Sequence, residues 1–146
     1  VRAAMASARQ KGRLEILRRS PCLLIDGAHN EAGAEALAAV MEAHFAGQRI
    51  LLVLGVLADK KADRILGPLL RLGVDAIATE PDNPRRLPAE DLCRQIRAAG
   101  TTCRAVPDWA DACRQVDASL NRYDVVLFSG SLYLIGRIRG WYLHGN

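Results

Sequence analysis

The chain has 146 residues, half of them hydrophobic and a quarter charged, which is the balance of one soluble globular domain with a real core. No apolar stretch approaches the ~20 residues that cross a bilayer, which argues against a membrane-spanning helix. The net charge of +4 sits mostly on scattered arginines, with Lys11, Lys60 and Lys61 the only lysines, and no run of like charge or interleaved aromatics supports a nucleic-acid footprint.

Residues 1–12 are rich in Ala, Arg and Ser and contain no acid. That composition resembles a transit peptide, but the absence of an initial Met favours a linker left where a domain is cut from a longer protein. Leu14 to Leu17 and Cys22 to Ile25 are two predicted strands around an Arg18-Arg19-Ser20-Pro21 turn. Leu37, Val40, Met41, His44 and Phe45 then form an i, i+3, i+4, i+7, i+8 stripe, a helix that starts near Glu31 and stops at Gly47. Ile50 to Leu54 is continuously apolar, as expected of a strand covered on both faces.

Ala62, Ile65, Leu66, Leu69 and Leu70 mark a second helix, which Gly67-Pro68 is expected to kink or divide. Val74 to Thr79 is a third apolar strand, followed by a turn-rich loop from Glu80 to Arg86. Pro88, Glu90 and Asp91 open a helix that carries Leu92, Cys93 and Ile96 inward. Thr102 to Val106 is a short strand, and Asp108 caps a helix with Trp109, Ala112, Cys113, Val116 and Leu120 on one face. Tyr123 to Phe128 is the last strand, and Ser129-Gly130-Ser131 leads into a helix with Leu134, Ile138, Trp141 and Tyr142 in register.

Strands of five or six residues alternating with helices of ten to sixteen imply βαβ crossovers. The fold class is therefore α/β: a Rossmann-like, mostly parallel sheet with helices on both faces and an antiparallel element at one edge. The four cysteines, Cys22, Cys93, Cys103 and Cys113, form no C-x-x-C pair and read as buried free thiols in a reducing cytoplasm.

In such a sheet the ligand lies over the C-terminal ends of the strands. Asp26 closes a strand there, where a carboxylate can accept from a ribose diol. His29 can donate to a phosphate or carboxylate, and Asn30 is a natural N-cap, although Glu31 already sets a negative charge against the helix dipole. The same turn reads equally as a capped loop with inert Asp and His. Ser129, Gly130 and Ser131 offer hydroxyls, close backbone approach and a helix N-terminus to a small carboxylate; Ser131 as a plain N-cap fits the local pattern equally.

Asp59-Lys60-Lys61 is first a solvated helix start, and Lys60 is a cation beside the same edge. Arg85 and Arg86 lie in a loop that its prolines stiffen, which could aim one guanidinium. His44 reads as structural, and His144 as part of a fraying tail. The chain has no phosphate-loop motif, no dinucleotide fingerprint, no Ser/His/Asp triad and no metal-ligand cluster.

The string Leu24-Ile25-Asp26-Gly27-Ala28-His29-Asn30, followed by Gly33-Ala34, resembles folylpolyglutamate synthase/dihydrofolate synthase, of the Mur ligase superfamily. Four further matches run in order: Gly12-Arg13-Leu14-Glu15, Leu54-Gly55 with Asp59-Lys60, Pro84-Arg85 through Leu87-Pro88, and Ser129-Gly130-Ser131-Leu132-Tyr133. Together they cover nearly the whole chain. The resemblance implies that residues 13–146 are the C-terminal, nucleotide-closing domain of a two-domain enzyme.

It further implies an ATP-dependent ligase that adds L-glutamate to a folate or dihydropteroate carboxylate through an acyl phosphate. The phosphate loop and Mg²⁺ ligands would lie in the enzyme's own N-terminal domain, the whole protein being a cytoplasmic monomer. Carried onto this sequence, Arg13, Asp26 and Asn30 serve the nucleotide side, Asp26 at its ribose. His29 and Ser131 face the reacting centre, with Ser129 and Gly130 beside them at the glutamate, and Lys60 and Arg85 are further candidates.

Gln10-Lys11 stands where the family has an aromatic–proline pair, and Glu31 where it often has proline. Two alternatives stay open from the residues: another Mur-type amino-acid ligase, and a non-catalytic Rossmann-like binding module.

Overall fold

The computed structural model describes residues 14–72 and 75–145. Among the described residues six strands form one sheet: β1 (Leu14–Arg19), β2 (Cys22–Asp26), β3 (Ile50–Leu54), β4 (Asp75–Ala78), β5 (Cys103–Ala105) and β6 (Val125–Ser129). The α-helices described with them are α1 (Glu31–Phe45), α2 (Ala62–Leu70), α3 (Ala89–Ala98), α4 (Trp109–Ala118) and α5 (Leu132–His144). The spatial order is β1-β2-β6-β3-β4-β5, and only β1 runs antiparallel to its neighbour. The expected edge element is thus a β1–β2 hairpin, paired from Leu14 opposite Asp26 to Arg19 opposite Cys22, with a bulge between Ile16 and Arg18.

Strand pleating sends alternate residues to opposite faces, which splits the core in two. Leu24, Leu52, Leu54 and Leu127 pack with Leu37 and Met41 of α1, Ile65 and Leu69 of α2, and Leu92 and Ile96 of α3. Leu23, Leu51, Val53, Val126 and Phe128 face the other way, onto Cys113 and Val116 of α4 and Leu134 and Ile138 of α5. All five residues of β3 and all five of β6 are buried, as their continuous apolar runs require. Truncating a fully buried leucine such as Leu52 to Ala costs about 2–5 kcal/mol.

Local chemistry explains where the elements start. Asn30 accepts from the Gly33 N–H at the start of α1, Asp108 from Ala110 at α4, and Ser131 from Tyr133 at α5. Gly47, at φ +81°, turns the chain after α1. The strands were placed within two residues of their observed ends.

Of the expectation that Gly67-Pro68 kinks or divides this helix, the division is corrected: α2 runs as one element from Ala62 to Leu70. Pro68 enters only in the last turn, and Gly67 has no Cβ to collide with the proline ring, so the break falls where the helix ends anyway. His144 is also corrected; it is the last residue of α5 rather than part of a tail.

The four cysteines are free, three of them buried. Burial pushes the Cys103 and Cys113 thiols each up to about 12, which makes them poor nucleophiles. No helix among the described residues is long and apolar enough to cross a membrane.

Candidate functional site

The strand order sets β6 between β2 and β3. From β2 and β3 the chain leaves for α1 and α2 on one face, while from β6 it leaves for α5 on the other. The connections diverge over the end of β6, which is the switch point where open α/β sheets form a ligand crevice.

Backbone hydrogen bonds tie the three loops together. The Gly130 N–H donates to the Ala28 carbonyl at 3.1 Å, and the Gly55 N–H to the Ser129 carbonyl at 3.2 Å. Gly130 has φ +113°, and a Cβ there would sit 2.5 Å from the Gly55 carbonyl oxygen. Only glycine fits at this crossing.

Asp26 closes β2, is 3% exposed, and accepts from the Ala28 N–H at 2.8 Å. That bond bends the chain so that the next residues pass over the strand ends. Two residues on, His29 is half-buried, with Nδ1 2.9 Å from the Gly27 carbonyl oxygen. A carbonyl only accepts, so Nδ1 carries the proton of this bond, and in the neutral ring Nε2 holds the lone pair. Asn30 spends its side-chain oxygen on the Gly33 N–H at 2.8 Å, so it builds the turn rather than reaching outward.

On the far side of the crevice, Ser131 is 2% exposed and caps α5 through its Oγ, 3.1 Å from the Tyr133 nitrogen. The cap uses a lone pair and leaves the O–H proton to donate. The capping and ligand-binding readings of this serine are therefore compatible.

Ser129 is fully buried in β6, and its Oγ has no hydrogen-bond partner among the described residues. Its side chain lines neither cleft described below. Gly130 and Ser131, rather than Ser129, carry this loop to the surface.

Two adjoining clefts share His29 and Lys60. The smaller, about 190 Å³, is lined by His29, Leu57, Lys60, Arg85, Gly130, Ser131, Leu132 and Tyr133. Its lining holds Lys60, an Arg85 that Asp59 pairs from outside the cleft, an imidazole and a helix N-terminus, and no carboxylate. The larger, about 470 Å³, opens between the starts of α1 and α2. A separate hollow of about 340 Å³ between α2 and α3 lies away from the strand ends.

Arg85 is held by Asp59, whose carboxylate it meets at 3.0 Å, and the Ala58 N–H donates to the Arg85 carbonyl at 2.7 Å. Arg86 instead pairs with Glu80 at 2.9 Å, and the same carboxylate accepts from the Ala89 N–H at the start of α3. Lys60 has no ion-pair partner among the described residues. The Asp59-Lys60-Lys61 stretch is the solvated helix start expected of it, with Lys60 additionally lining both clefts.

Sequence reasoning missed Leu57, Leu132, Tyr133 and the Glu80 clamp. Leu132 and Tyr133 had a usable signal, and the buried Leu57 had none. Leu134 and Ile138 turn inward on α5, which leaves Leu132 and Tyr133, 63% and 51% exposed, facing out at the crevice. Glu80 had none, because its partners come from tertiary proximity. Arg13 lies outside the described residues. Among the described residues no group of three or more His, Cys, Asp or Glu side chains gathers to hold a metal ion.

Fold and site together define an open α/β domain with a basic, carboxylate-free cleft at its switch point, a shape suited to a small anionic substrate. Residues 12–132 match the family described as Mur ligase, glutamate ligase domain, and the chain belongs to that family. It is 32% identical over 139 residues to the dihydrofolate synthase/folylpolyglutamate synthase of Bacillus subtilis, covering 95% of this chain and 32% of the relative.

Among solved structures, it resembles Mycobacterium tuberculosis folylpolyglutamate synthase complexed with ADP and AMPPCP. That match has a TM-score of 0.81 and 30% identity, over 90% of this chain and 32% of that one. The Yersinia pestis bifunctional folylpolyglutamate synthase/dihydrofolate synthase complexed with AMPPNP and Mn ion matches with a TM-score of 0.79 and 26% identity, over 91% and 31%. The chain thus spans about a third of the length of the curated relatives it matches.

Proposed function

We propose that this chain is the C-terminal, nucleotide-closing and glutamate-receiving domain of an ATP-dependent ligase that joins L-glutamate to a folate or dihydropteroate carboxylate. The observation that carries the reading is the small cleft, where His29, Gly130 and Ser131 meet Lys60 and Arg85 with no acid in the lining. Such a site favours the two carboxylates of glutamate. Its positive charge also disfavours the ammonium form of the amine, which must lose a proton before it can attack.

In the proposed reaction the acceptor carboxylate takes the γ-phosphoryl group of ATP and ADP leaves. The glutamate amine then attacks the acyl carbon, and phosphate departs from the tetrahedral intermediate. The Nε2 lone pair of His29 suits it to receive a proton of the amine, and Ser131 to donate to a glutamate carboxylate. Asp26, at the end of β2, is assigned to the nucleotide ribose, as is Arg13 to the nucleotide. Asn30 supports the loop.

Mg²⁺ would supply charge neutralisation of the phosphates. The described residues offer it no cluster, so its ligands are assigned to an upstream domain, with which this one would close. The whole protein is proposed to act as a cytoplasmic monomer, a setting consistent with the free thiols.

The test is ADP release by the full-length protein, measured with a folate-type acid and glutamate present together or singly. Product should require both, and residues 1–146 alone should form none. Glutamylation by these residues alone would overturn the reading.

A further inference from the structure

The larger cleft has a chemistry that glutamate binding does not use. Its lining joins His29 and Asn30 to Lys60, Lys61 and Arg64. Neither Lys61 nor Arg64 has an ion-pair partner among the described residues, and both are exposed. Being three apart at the start of α2, they share one face of the helix.

The nearby acids offset little of this charge. Asp59 is spent on Arg85. Asp63 lines the hollow on the other side of α2. Among the described residues only Glu31 remains as an acid of the lining without an ion-pair partner. The charge is a row of separate cations rather than a focused cradle. At the α1 terminus Asn30 takes the Gly33 N–H and Glu31 sets a negative charge in the lining, which opposes a dense anion there. A row of this kind fits carboxylates spaced along a flexible chain better than a compact triphosphate.

Taking the ligase reading as given, we infer that the Lys60–Lys61–Arg64 cleft holds the anionic tail of an acceptor that already carries glutamyl residues. Each glutamyl unit joined through one of its carboxylates leaves the other free. A tail laid along this cleft would meet the small cleft at His29 and Lys60, the two residues they share. Lys61 and Arg64 then determine how strongly longer acceptors are preferred, without touching the reacting atoms.

The experiment uses the full-length enzyme with Lys61→Ala/Arg64→Ala and folate mono- and triglutamate as acceptors. The triglutamate-to-monoglutamate ratio of kcat/KM should fall roughly five-fold, the worth of two exposed ion contacts. Monoglutamate turnover should be retained, the double Lys61→Arg/Arg64→Lys variant should restore the ratio, and rising ionic strength should erode it in the unmodified enzyme.

Equal losses on both acceptors, or no change in the ratio, would overturn the inference. A raised KM for ATP with an unchanged ratio would also overturn it, assigning the cleft to the nucleotide. An unmodified enzyme that glutamylates neither acceptor would instead remove the ligase reading, and this inference with it.

Discussion

The two edges of the sheet hold similar polar residues and use them in opposite ways. At the N-terminal edge of the parallel strands, polar groups satisfy one another. The Tyr123 hydroxyl donates to Asp75 at 2.8 Å, and Asp124 accepts from the Arg49 backbone at 2.9 Å and from its guanidinium at 3.4 Å. At the C-terminal edge, polar capacity is left over. Lys60 has no ion-pair partner among the described residues, and Ser131 keeps its O–H. Paired groups hold a fold together, whereas groups with spare capacity wait for a ligand, and this difference separates structural from functional polarity here.

The sharpest way to break the comparison is at the crossing of the loops. Gly130→Ala puts a Cβ 2.5 Å from the Gly55 carbonyl at φ +113°. It should cost at least about 2 kcal/mol, lowering Tm by roughly 4–8 °C by calorimetry. A Tm within a degree of the unmodified protein would show that the loops are not locked together.

A smaller effect is expected at the opposite edge. Tyr123→Phe removes one exposed hydrogen bond to Asp75 and should lower stability by about 1 kcal/mol or less, with the kinetics of the full-length enzyme unchanged. Changed kinetics would mean that this edge is also functional.

The smallest effect is a pH dependence. Hydrogen bonds from the Arg49 backbone and side chain hold the Asp124 carboxyl below the usual carboxylate range. A group whose folded pKa is lowered adds stability above its unfolded pKa, about 3.9, and that stability is lost as pH falls through the folded value. Asp124→Asn should therefore lower Tm slightly at neutral pH, with the difference from the unmodified protein vanishing as pH falls through the folded value. A difference that stays constant or grows towards acid pH would contradict the assignment.

Much of this was legible in the sequence, for reasons that differ by residue. The β2–α1 turn could be read because Asp26, Gly27 and Asn30 each act on backbone within three residues. The helices were legible from their apolar period, and both serine-rich and asparagine caps from residue type. The burial of Ser129 was not legible, because alternation along β6 and cover on both faces decide its direction and only the assembled sheet supplies them. Arg85 and Arg86 look alike in sequence. Asp59 and Glu80, 26 and 6 residues away, separate their roles through tertiary contact. The continuity of α2 through Pro68 depended on where that helix ends, the least legible property of any element.

The central claim is that the crevice over β6 has a nucleotide side at Asp26 and an amino-acid side at Ser131. The most direct test compares Michaelis constants in the full-length enzyme for Asp26→Asn, which retains an oxygen for the Ala28 N–H, and Ser131→Ala. Ser131→Ala should raise KM for glutamate about ten-fold or more, the worth of a hydrogen bond to a charged group, and leave KM for ATP unchanged. Asp26→Asn should do the reverse. If the two substitutions shifted both constants alike, or neither, the division of the crevice would be wrong.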